Sequence, residues 1–244
     1  MTASEKYMEN VIALAQNVRK EQAGAIEAAA RLAADALRAG GFLFTFGTGH
    51  SHMLAEEIFY RAGGLARVCP ILEDALMLHR AAARSSVFER MPGLAGILLD
   101  DVEAVKNGGV LFLFSNSGCN TVAVDMAEEA KRRGLSTVCV TSVSHSRRMT
   151  TRHPEGKKLM DVCDVVIDNM GVYGDASVET AGTMVGATST VIGAMIMEAV
   201  VCRAAELADE AGCRPEIFAS ANTENGDEKN AGLIEKYKPL VKAM

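Results

Sequence analysis

Residues 110–121, Val-Leu-Phe-Leu-Phe-Ser-Asn-Ser-Gly-Cys-Asn-Thr, join an uninterrupted apolar run to a cluster of small polar side chains. Short apolar runs are typical of strands that are covered on both faces, as in a parallel sheet. Helical spacing of apolar residues follows from Thr121 and stops at Gly134. The stretch therefore predicts a strand, a polar loop at its carboxyl end and a helix, as in a βαβ unit.

The same alternation extends in both directions along the chain. We expect strands at 42–46, 66–71, 110–114, 137–141 and 164–168. We expect helices at 4–39 (one long helix or two joined ones), 50–62, 73–83, 93–107, 121–133, from 178 or 188 to 209, and 229–241. This order predicts a helix-rich α/β fold whose parallel sheet has right-handed crossovers.

No linker, repeat or low-complexity tract divides the 244 residues. We therefore expect one domain over 1–244, with its core at about 35–205, an N-terminal helix at 4–39 and a C-terminal loop and helix at 210–244. The net charge is −6 and no basic face is evident, so we expect no binding to nucleic acid.

Six cysteines form no CxxC pair and lie mostly in apolar runs, which favours small buried side chains in a reducing cytosol. Cys119 is the exception, because it lies within the polar loop. The charged N-terminus has no apolar core of a signal peptide, and no apolar run has the length of a membrane span. We expect a cytoplasmic protein without a membrane partner.

Polar stretches follow three of the predicted strands, at Gly47–Ser51, Ser115–Thr121 and Thr141–Ser146. Ligands of parallel α/β sheets bind at the carboxyl ends of strands. Hydroxyls, amides and backbone N–H groups at a helix N-terminus suit a phosphate, and Gly118 permits close approach of the backbone. The loop has no Lys, so it is no Walker A loop. An alternative is that Asn120 and Thr121 only cap the helix.

These segments together resemble the SIS (sugar isomerase) domain family. The resemblance lies in FGTGHS at 46–51, FSNSGCNT at 114–121, TSVSHS at 141–146 and GATST at 186–190, and it covers about residues 35–205. Asn120 stands where many members carry Ser or Thr, and Thr121 can substitute for it. The whole chain is similar to a bacterial branch of the family that is labelled phosphoheptose isomerase.

The resemblance implies a three-layer αβα sandwich with a five-stranded parallel sheet of flavodoxin-like order. It also implies a homodimer or homotetramer, with sites near subunit contacts, and a phosphorylated sugar as the ligand. On this basis Ser51, Ser115, Ser117, Asn120 and Thr121 are predicted to hold the phosphate. Further substrate contacts are predicted at Gly49, Asn116, Gly118 and Ser189.

Members of the family isomerise aldose and ketose phosphates, make glucosamine phosphate, cleave lactyl ethers or act as non-catalytic sugar sensors. The leading hypothesis for this chain is an aldose–ketose phosphate isomerase. The alternatives are a non-catalytic phosphosugar sensor or regulatory protein, and a lyase or etherase that acts on an amino-sugar phosphate.

Isomerisation needs a base and an acid next to the carbonyl carbon. Glu57 is our first candidate, since it shares a helix face with Arg61, near which the resemblance implies a catalytic Glu; a solvated surface role is the alternative. Glu198 lies in an apolar run and needs a partner there, so it is either catalytic or a paired structural residue. His50 can donate to a sugar or phosphate oxygen.

Two further features leave alternatives open. His52 and Glu56 have the i, i+4 spacing of metal ligands, but no third ligand is evident, so we expect neither a metal nor a cofactor. Turn-forming residues at 169–177 and 222–228 predict plain loops or a flap that covers the sugar.

Overall fold

The sheet at the centre of the molecule is parallel and has five strands. A computed structural model describes all residues, 1–244. The strands are β1 (Phe42–Gly47), β2 (Val68–Pro70), β3 (Gly109–Phe114), β4 (Ser136–Thr141) and β5 (Val165–Asp168). Their order is β2-β1-β3-β4-β5, with every neighbouring pair parallel. The predicted five-stranded sheet of flavodoxin-like order is confirmed.

Ten α-helices surround the strands. They are α1 (Ala3–Glu21), α2 (Ala23–Arg38), α3 (His52–Glu57), α4 (Leu78–Phe88), α5 (Leu94–Asp100), α6 (Thr121–Arg132), α7 (Val143–Arg148), α8 (Leu159–Val162), α9 (Ser189–Glu210) and α10 (Gly226–Tyr237). Short 3-10 helices cover Gly49–Ser51, Asp74–Leu76 and Glu103–Asn107. None of the helices has both the length and the apolar character needed to cross a membrane.

The core has two halves, one on each face of the sheet. Leu43 and Phe112 point into a cluster that contains buried residues of α2 and α9, whereas Phe44 and Leu111 point into one with α5 and α6. Successive residues of a strand alternate between faces, so an apolar strand supplies both halves. This arrangement is the three-layer αβα sandwich that the resemblance implied.

The segment 4–39 forms two helices that meet at Gln22, which is one of the two arrangements expected for it. The next helix is shorter than expected. The helix expected at 50–62 ends at Glu57, and Tyr60 beyond it has a φ of +49°. A left-handed residue does not continue a right-handed helix.

A β-hairpin was absent from the sequence prediction. Strands β6 (Ala176–Thr180) and β7 (Thr183–Ala187) pair antiparallel, and the long helix α9 begins only after them, at Ser189. Ala181 and Gly182 join the strands with φ values of +51° and +73°. Positive φ at both loop residues is typical of a type I′ turn, which Asn-Gly signals more clearly than Ala-Gly.

Candidate functional site

A cavity of about 380 Å³ lies at the carboxyl ends of β1, β3 and β4. Residues from all three polar stretches noted in the sequence line this cavity. Its lining residues are Thr48, Gly49, His50, Ser51, Leu78, Ser85, Ser86, Glu89, Ser115, Asn116, Ser117, Asn120, His145, Gly174 and Asp175. Fourteen of these fifteen are polar residues or glycine, and none is Lys or Arg. The cavity therefore suits a small hydrophilic ligand.

The loop Ser115–Thr121, four of whose residues line this cavity, contains unused backbone donors. The N–H groups of Asn116, Ser117, Asn120 and Thr121 have no acceptor within the chain. Ser115 accepts a hydrogen bond from the N–H of Gly118 at 3.1 Å, which closes the loop on itself. Free N–H groups at the start of a helix attract an anion. The loop therefore has the properties of a phosphate site.

The back of the loop is held by the neighbouring strands. The carbonyl of Asn116 accepts from the N–H of Ser142 at 3.0 Å and from the hydroxyl of Thr141 at 3.2 Å. Its side-chain oxygen accepts from Asn169 at 2.9 Å. Cys119 is fully buried, and burial raises the pKa of its thiol. These contacts fix the loop before any ligand arrives.

Asn120 and Thr121 have different roles. Asn120 lines the cavity, and its side-chain oxygen accepts from Arg152 at 3.0 Å. The buried hydroxyl of Thr121 donates to the carbonyl of Arg152 at 3.0 Å and does not line the cavity. Neither side chain makes a capping bond at the start of α6. The cationic side chain of Arg152 is therefore linked to the loop after β3 through its hydrogen bond to Asn120.

Four residues of the first loop line the cavity: Thr48, Gly49, His50 and Ser51. The Thr48 hydroxyl donates to Oε2 of Glu89 at 2.8 Å. This is the one hydrogen bond of the Glu89 side chain, so its second oxygen has no partner. The carbonyl of Glu89 also accepts from the N–H of Val122, in the first turn of α6, at 3.1 Å. Glu89 is thus a half-buried carboxylate anchored to both ligand loops.

His145 and the segment after β5 form the remaining wall. Nδ1 of His145 accepts from the N–H of Gly174 at 2.9 Å. Burial lowers the pKa of this histidine below its ordinary value, against the opposing effect of the Asp175 carboxylate. Ser189 does not line the cavity; its hydroxyl donates to Asp175, which does, at 2.5 Å.

Glu57 and Glu198 lie outside this cavity. Both pair with Arg61: Glu57 from the preceding helix turn, and Glu198 at 3.2 Å from α9. Arg61 and Tyr60 line a separate cavity of about 340 Å³ beside α10. The structure thus brings the two predicted glutamates together, but around an arginine and away from the phosphate loop.

One further cluster has the composition of a metal site. Asp125, Glu128 and His153 lie close together. Nε2 of His153 bonds Asp125 at 3.0 Å, and its Nδ1 accepts from the N–H of Glu155 at 3.3 Å. Because the N–H of Glu155 donates to Nδ1 of His153, the ring proton of His153 lies on Nε2. The third member of the cluster, Glu128, accepts a hydrogen bond from Lys157. Neither nitrogen is free, so the cluster is a hydrogen-bonded tie between α6 and a loop.

Several lining residues were not among the sequence predictions. Glu89 was missed because nothing in its own segment marks it: it follows a helix and is an ordinary charged residue. Asp175 was placed only in a turn-rich stretch. His145, in the third polar stretch, was an acid–base candidate by its position after β4, but it was not chosen among the catalytic residues.

Comparisons with known proteins agree with this architecture. Residues 6–142 match the family model of the SIS domain. The match covers more than half of the chain, so the chain belongs to the SIS-domain family. It is also similar to a UPF0309 protein of Listeria innocua, with 40% identity over 237 residues, which are 96% of each chain.

Two solved structures share the fold. A phosphoheptose isomerase from Francisella tularensis matches with a TM-score of 0.54 and 18% identity, over 86% of this chain and all of that one. The Vibrio vulnificus NanR protein complexed with ManNAc-6P matches with a TM-score of 0.50 and 14% identity, over 98% of this chain and 70% of that one. At these identities the likeness concerns the fold.

Proposed function

We propose that this SIS-domain chain binds a phosphorylated sugar in the 380 Å³ cavity, with the phosphate on the loop Ser115–Thr121. The observation that carries the proposal is the set of four unused N–H groups in this loop, next to the hydroxyls of Ser115 and Ser117. Such donors recognise a phosphate without a lysine. The sugar then lies toward His50, Glu89 and His145.

Names of similar proteins support the same ligand class. One structural relative is a phosphoheptose isomerase and another is the NanR protein complexed with ManNAc-6P. Both names concern phosphorylated sugars, although they differ in what the protein does with them. We propose that the whole chain forms one such domain and works as a homodimer or homotetramer.

For the reaction we propose aldose–ketose isomerisation, with Glu89 as the base. A base must reach the carbon next to the carbonyl while the phosphate stays bound. Glu89 is the lining carboxylate that retains a free oxygen, because Asp175 accepts hydrogen bonds from Thr188 and Ser189 with both of its oxygens. His50, in the first loop, is a second proton carrier of the cavity.

Glu57 and Glu198 stay predictions. Pairing with Arg61 gives Glu198 the paired structural role that was its alternative, whereas the alternative for Glu57 was a solvated surface position. A catalytic role requires a sugar to approach that cluster instead of the loop after β3. Substitution of each glutamate separates the two possibilities.

The test is deuterium exchange. The protein is incubated in heavy water with C5 to C7 aldose and ketose phosphates and with amino-sugar phosphates, and deuterium is followed at the carbon next to the carbonyl. We expect exchange in the wild type and a loss of at least about 100-fold in Glu89→Gln, since general acid–base catalysis contributes 10²–10⁴-fold. Glu57→Gln and Glu198→Gln should retain exchange.

Two outcomes contradict this assignment. In the first, deuterium exchange survives Glu89→Gln and vanishes in Glu57→Gln or Glu198→Gln. The catalytic carboxylate is then one of the two that pair with Arg61. Tight binding of a sugar phosphate without exchange favours the second candidate, a non-catalytic phosphosugar sensor.

A further inference from the structure

The segment 169–175, here called the strap, is bound to the rim of the cavity at several points. Nδ2 of Asn169 donates to the side chain of Asn116, in the phosphate loop, at 2.9 Å. The carbonyl of Gly171 accepts from the buried hydroxyl of Ser142, after β4, at 2.6 Å. The strap is therefore tied to two of the loops that build the site.

Asp175 anchors the far end of the strap. One carboxylate oxygen accepts from the backbone N–H groups of Thr188 and Ser189, at 3.0 and 2.8 Å, and from the Thr188 hydroxyl at 3.2 Å. The other oxygen accepts from the Ser189 hydroxyl at 2.5 Å. Asp175 has a φ of +68°, a conformation that persists only where the surroundings enforce it. Four hydrogen bonds to one side chain provide that enforcement.

The residue before this anchor determines the tautomer of His145. The N–H of Gly174 donates to Nδ1 of His145, and an amide N–H can only donate. Nδ1 therefore keeps its lone pair, and the neutral ring carries its proton on Nε2. Nε2 has no partner within the chain. The Tyr173 ring stacks on the imidazole, with centroids 5.0 Å apart and planes at 26°, which restricts rotation of the ring.

We propose that His145 is a further catalytic residue of the site, whose Nε2–H donates a hydrogen bond to the carbonyl oxygen of the bound sugar. Asp175 is the positioning residue that holds the strap, and through Gly174 the tautomer, in place. The proposal rests on the proposed function, because it needs a phosphosugar in the same cavity.

The chemical step balances with the groups present. Glu89 takes the proton from the carbon next to the carbonyl, the electron pair of that C–H bond forms a C=C bond, and the C=O pair moves to oxygen. Nε2–H of His145 stabilises the negative charge on that oxygen without leaving the ring. Return of the proton from Glu89 to the former carbonyl carbon, with the accompanying shift of a hydroxyl proton between the two oxygens, gives the isomer. A neutral imidazole is suited to this role.

Protonation of His145 would oppose the same geometry. An imidazolium carries a proton on Nδ1, which would face the N–H of Gly174. The charged and titratable groups around the ring are Asp175, His50 and Glu89 in the cavity, and Arg148, which lies over Tyr173 at 5.6 Å. The rate of deuterium exchange at the sugar should therefore rise with pH as His145 loses its second proton, and it should level off near pH 7.

The first test reads the tautomer directly by nitrogen NMR of the full chain near pH 7. We expect His145 to show an unprotonated Nδ1 and a protonated Nε2, whereas exposed His79 averages between tautomers. Asp175→Ala should move His145 toward such averaging, which a merely structural change elsewhere does not do. A proton on Nδ1, or averaging in the wild type, would overturn the proposal.

The second test compares binding of inorganic phosphate with binding of the sugar phosphate of the C5 to C7 panel that binds most tightly. We expect His145→Leu to weaken sugar phosphate binding about tenfold, as for one lost hydrogen bond, and to leave inorganic phosphate unchanged. His145→Gln, which keeps an N–H near the position of Nε2, should recover most of the affinity for the sugar phosphate. In this variant the acidic limb, which is the range where the rate of deuterium exchange rises with pH, should move to lower pH. His79→Gln is the matched control.

The failures of the two proposals differ in this experiment. Unchanged sugar phosphate affinity in His145→Leu, or an acidic limb that His145→Gln does not move, overturns the role of His145 while phosphosugar binding stands. Absence of binding by the wild type to both phosphates, or a Ser117→Ala variant that keeps full affinity for both, contradicts the proposed function and, with it, this inference.

Discussion

Gly118 has a backbone conformation and surroundings that no other residue type tolerates well. Its φ is +61°, and a Cβ at this position would lie 3.2 Å from Oγ1 of Thr141 and 3.3 Å from Oγ of Ser146. Ser146 is fully buried and its hydroxyl has no partner. At the residue scale, the phosphate loop therefore depends on the absence of a side chain where it turns into α6.

Replacing Gly118 by Ala should both destabilise the protein and weaken phosphate binding. The left-handed conformation alone costs an L-residue about 1–2 kcal/mol, and the contacts with Thr141 and Ser146 displace the loop. Urea denaturation and a phosphate titration measure the two effects. Gly134→Ala is the control, because its φ is +78° but a Cβ there meets no atom within 4 Å. It should lose similar stability and keep its phosphate affinity; equal affinity in both variants would contradict the account.

At the scale of elements, the hairpin β6–β7 depends on α1. The Tyr7 hydroxyl donates to the carbonyl of Ala187 at 2.7 Å, and Asn10 donates to the carbonyl of Ser177 at 2.9 Å. The Tyr7 ring also packs against Gly186. A two-stranded hairpin is marginally stable by itself, so these contacts matter for whether it remains closed.

Tyr7→Phe should loosen the hairpin without loosening the central sheet. Loss of one hydrogen bond costs about 1 kcal/mol, which corresponds to roughly fivefold faster local opening. Amide hydrogen exchange across Ala176–Ala187 measures this opening, with β1 and β3 as internal references. Tyr60→Phe, whose hydroxyl has no hydrogen-bond partner in the chain, is the control. Uniform acceleration over hairpin and sheet would indicate that the hairpin is no separate unit.

The secondary-structure elements that could be predicted are those whose own residues show an apolar pattern. Strands β1 and β3 are apolar runs covered on both faces, and β2, β4 and β5 each contain a shorter apolar run, so each strand stood out by itself. The hairpin did not, because its strands are largely exposed and its turn uses Ala181 in a left-handed conformation. The same holds for the site. Ser115 and Ser117 were recognisable from their own loop, whereas Glu89 joins it only through contacts with Thr48 and Val122.

At the scale of the whole molecule, the carboxylate of Asp164, directly before β5, links that strand to β4 by hydrogen bonds. Burial raises the pKa of the Asp164 carboxyl, but Lys131 at 2.7 Å and the N–H and hydroxyl of Thr137 outweigh this, so the pKa is below its ordinary value. A carboxyl with a depressed pKa contributes stability above its unfolded-state pKa of about 3.9 and loses it as pH falls through the folded-state value.

Asp164→Asn should therefore be less stable than the wild type at pH 7, by about 1–2 kcal/mol for weakened hydrogen bonds to a charged group. The difference should shrink on acidification below about pH 4, because the carboxyl of the unfolded chain then takes up a proton, whereas the folded carboxyl, with its lowered pKa, resists protonation until lower pH. Urea unfolding of both proteins at pH 7 and about pH 3 checks this. A constant difference across this range would mean that the charge of Asp164 contributes nothing.

The strand order brings the loops after β1, β3 and β4 to one edge of the sheet, where their residues line one cavity. The most direct measurement is a crystal structure of the protein with a sugar phosphate that it binds. We expect the phosphate within hydrogen-bond distance of the N–H groups of Ser117, Asn120 and Thr121, with the sugar beside Glu89 and His145. A phosphate bound beside Arg61, or anywhere outside the loop after β3, would contradict it.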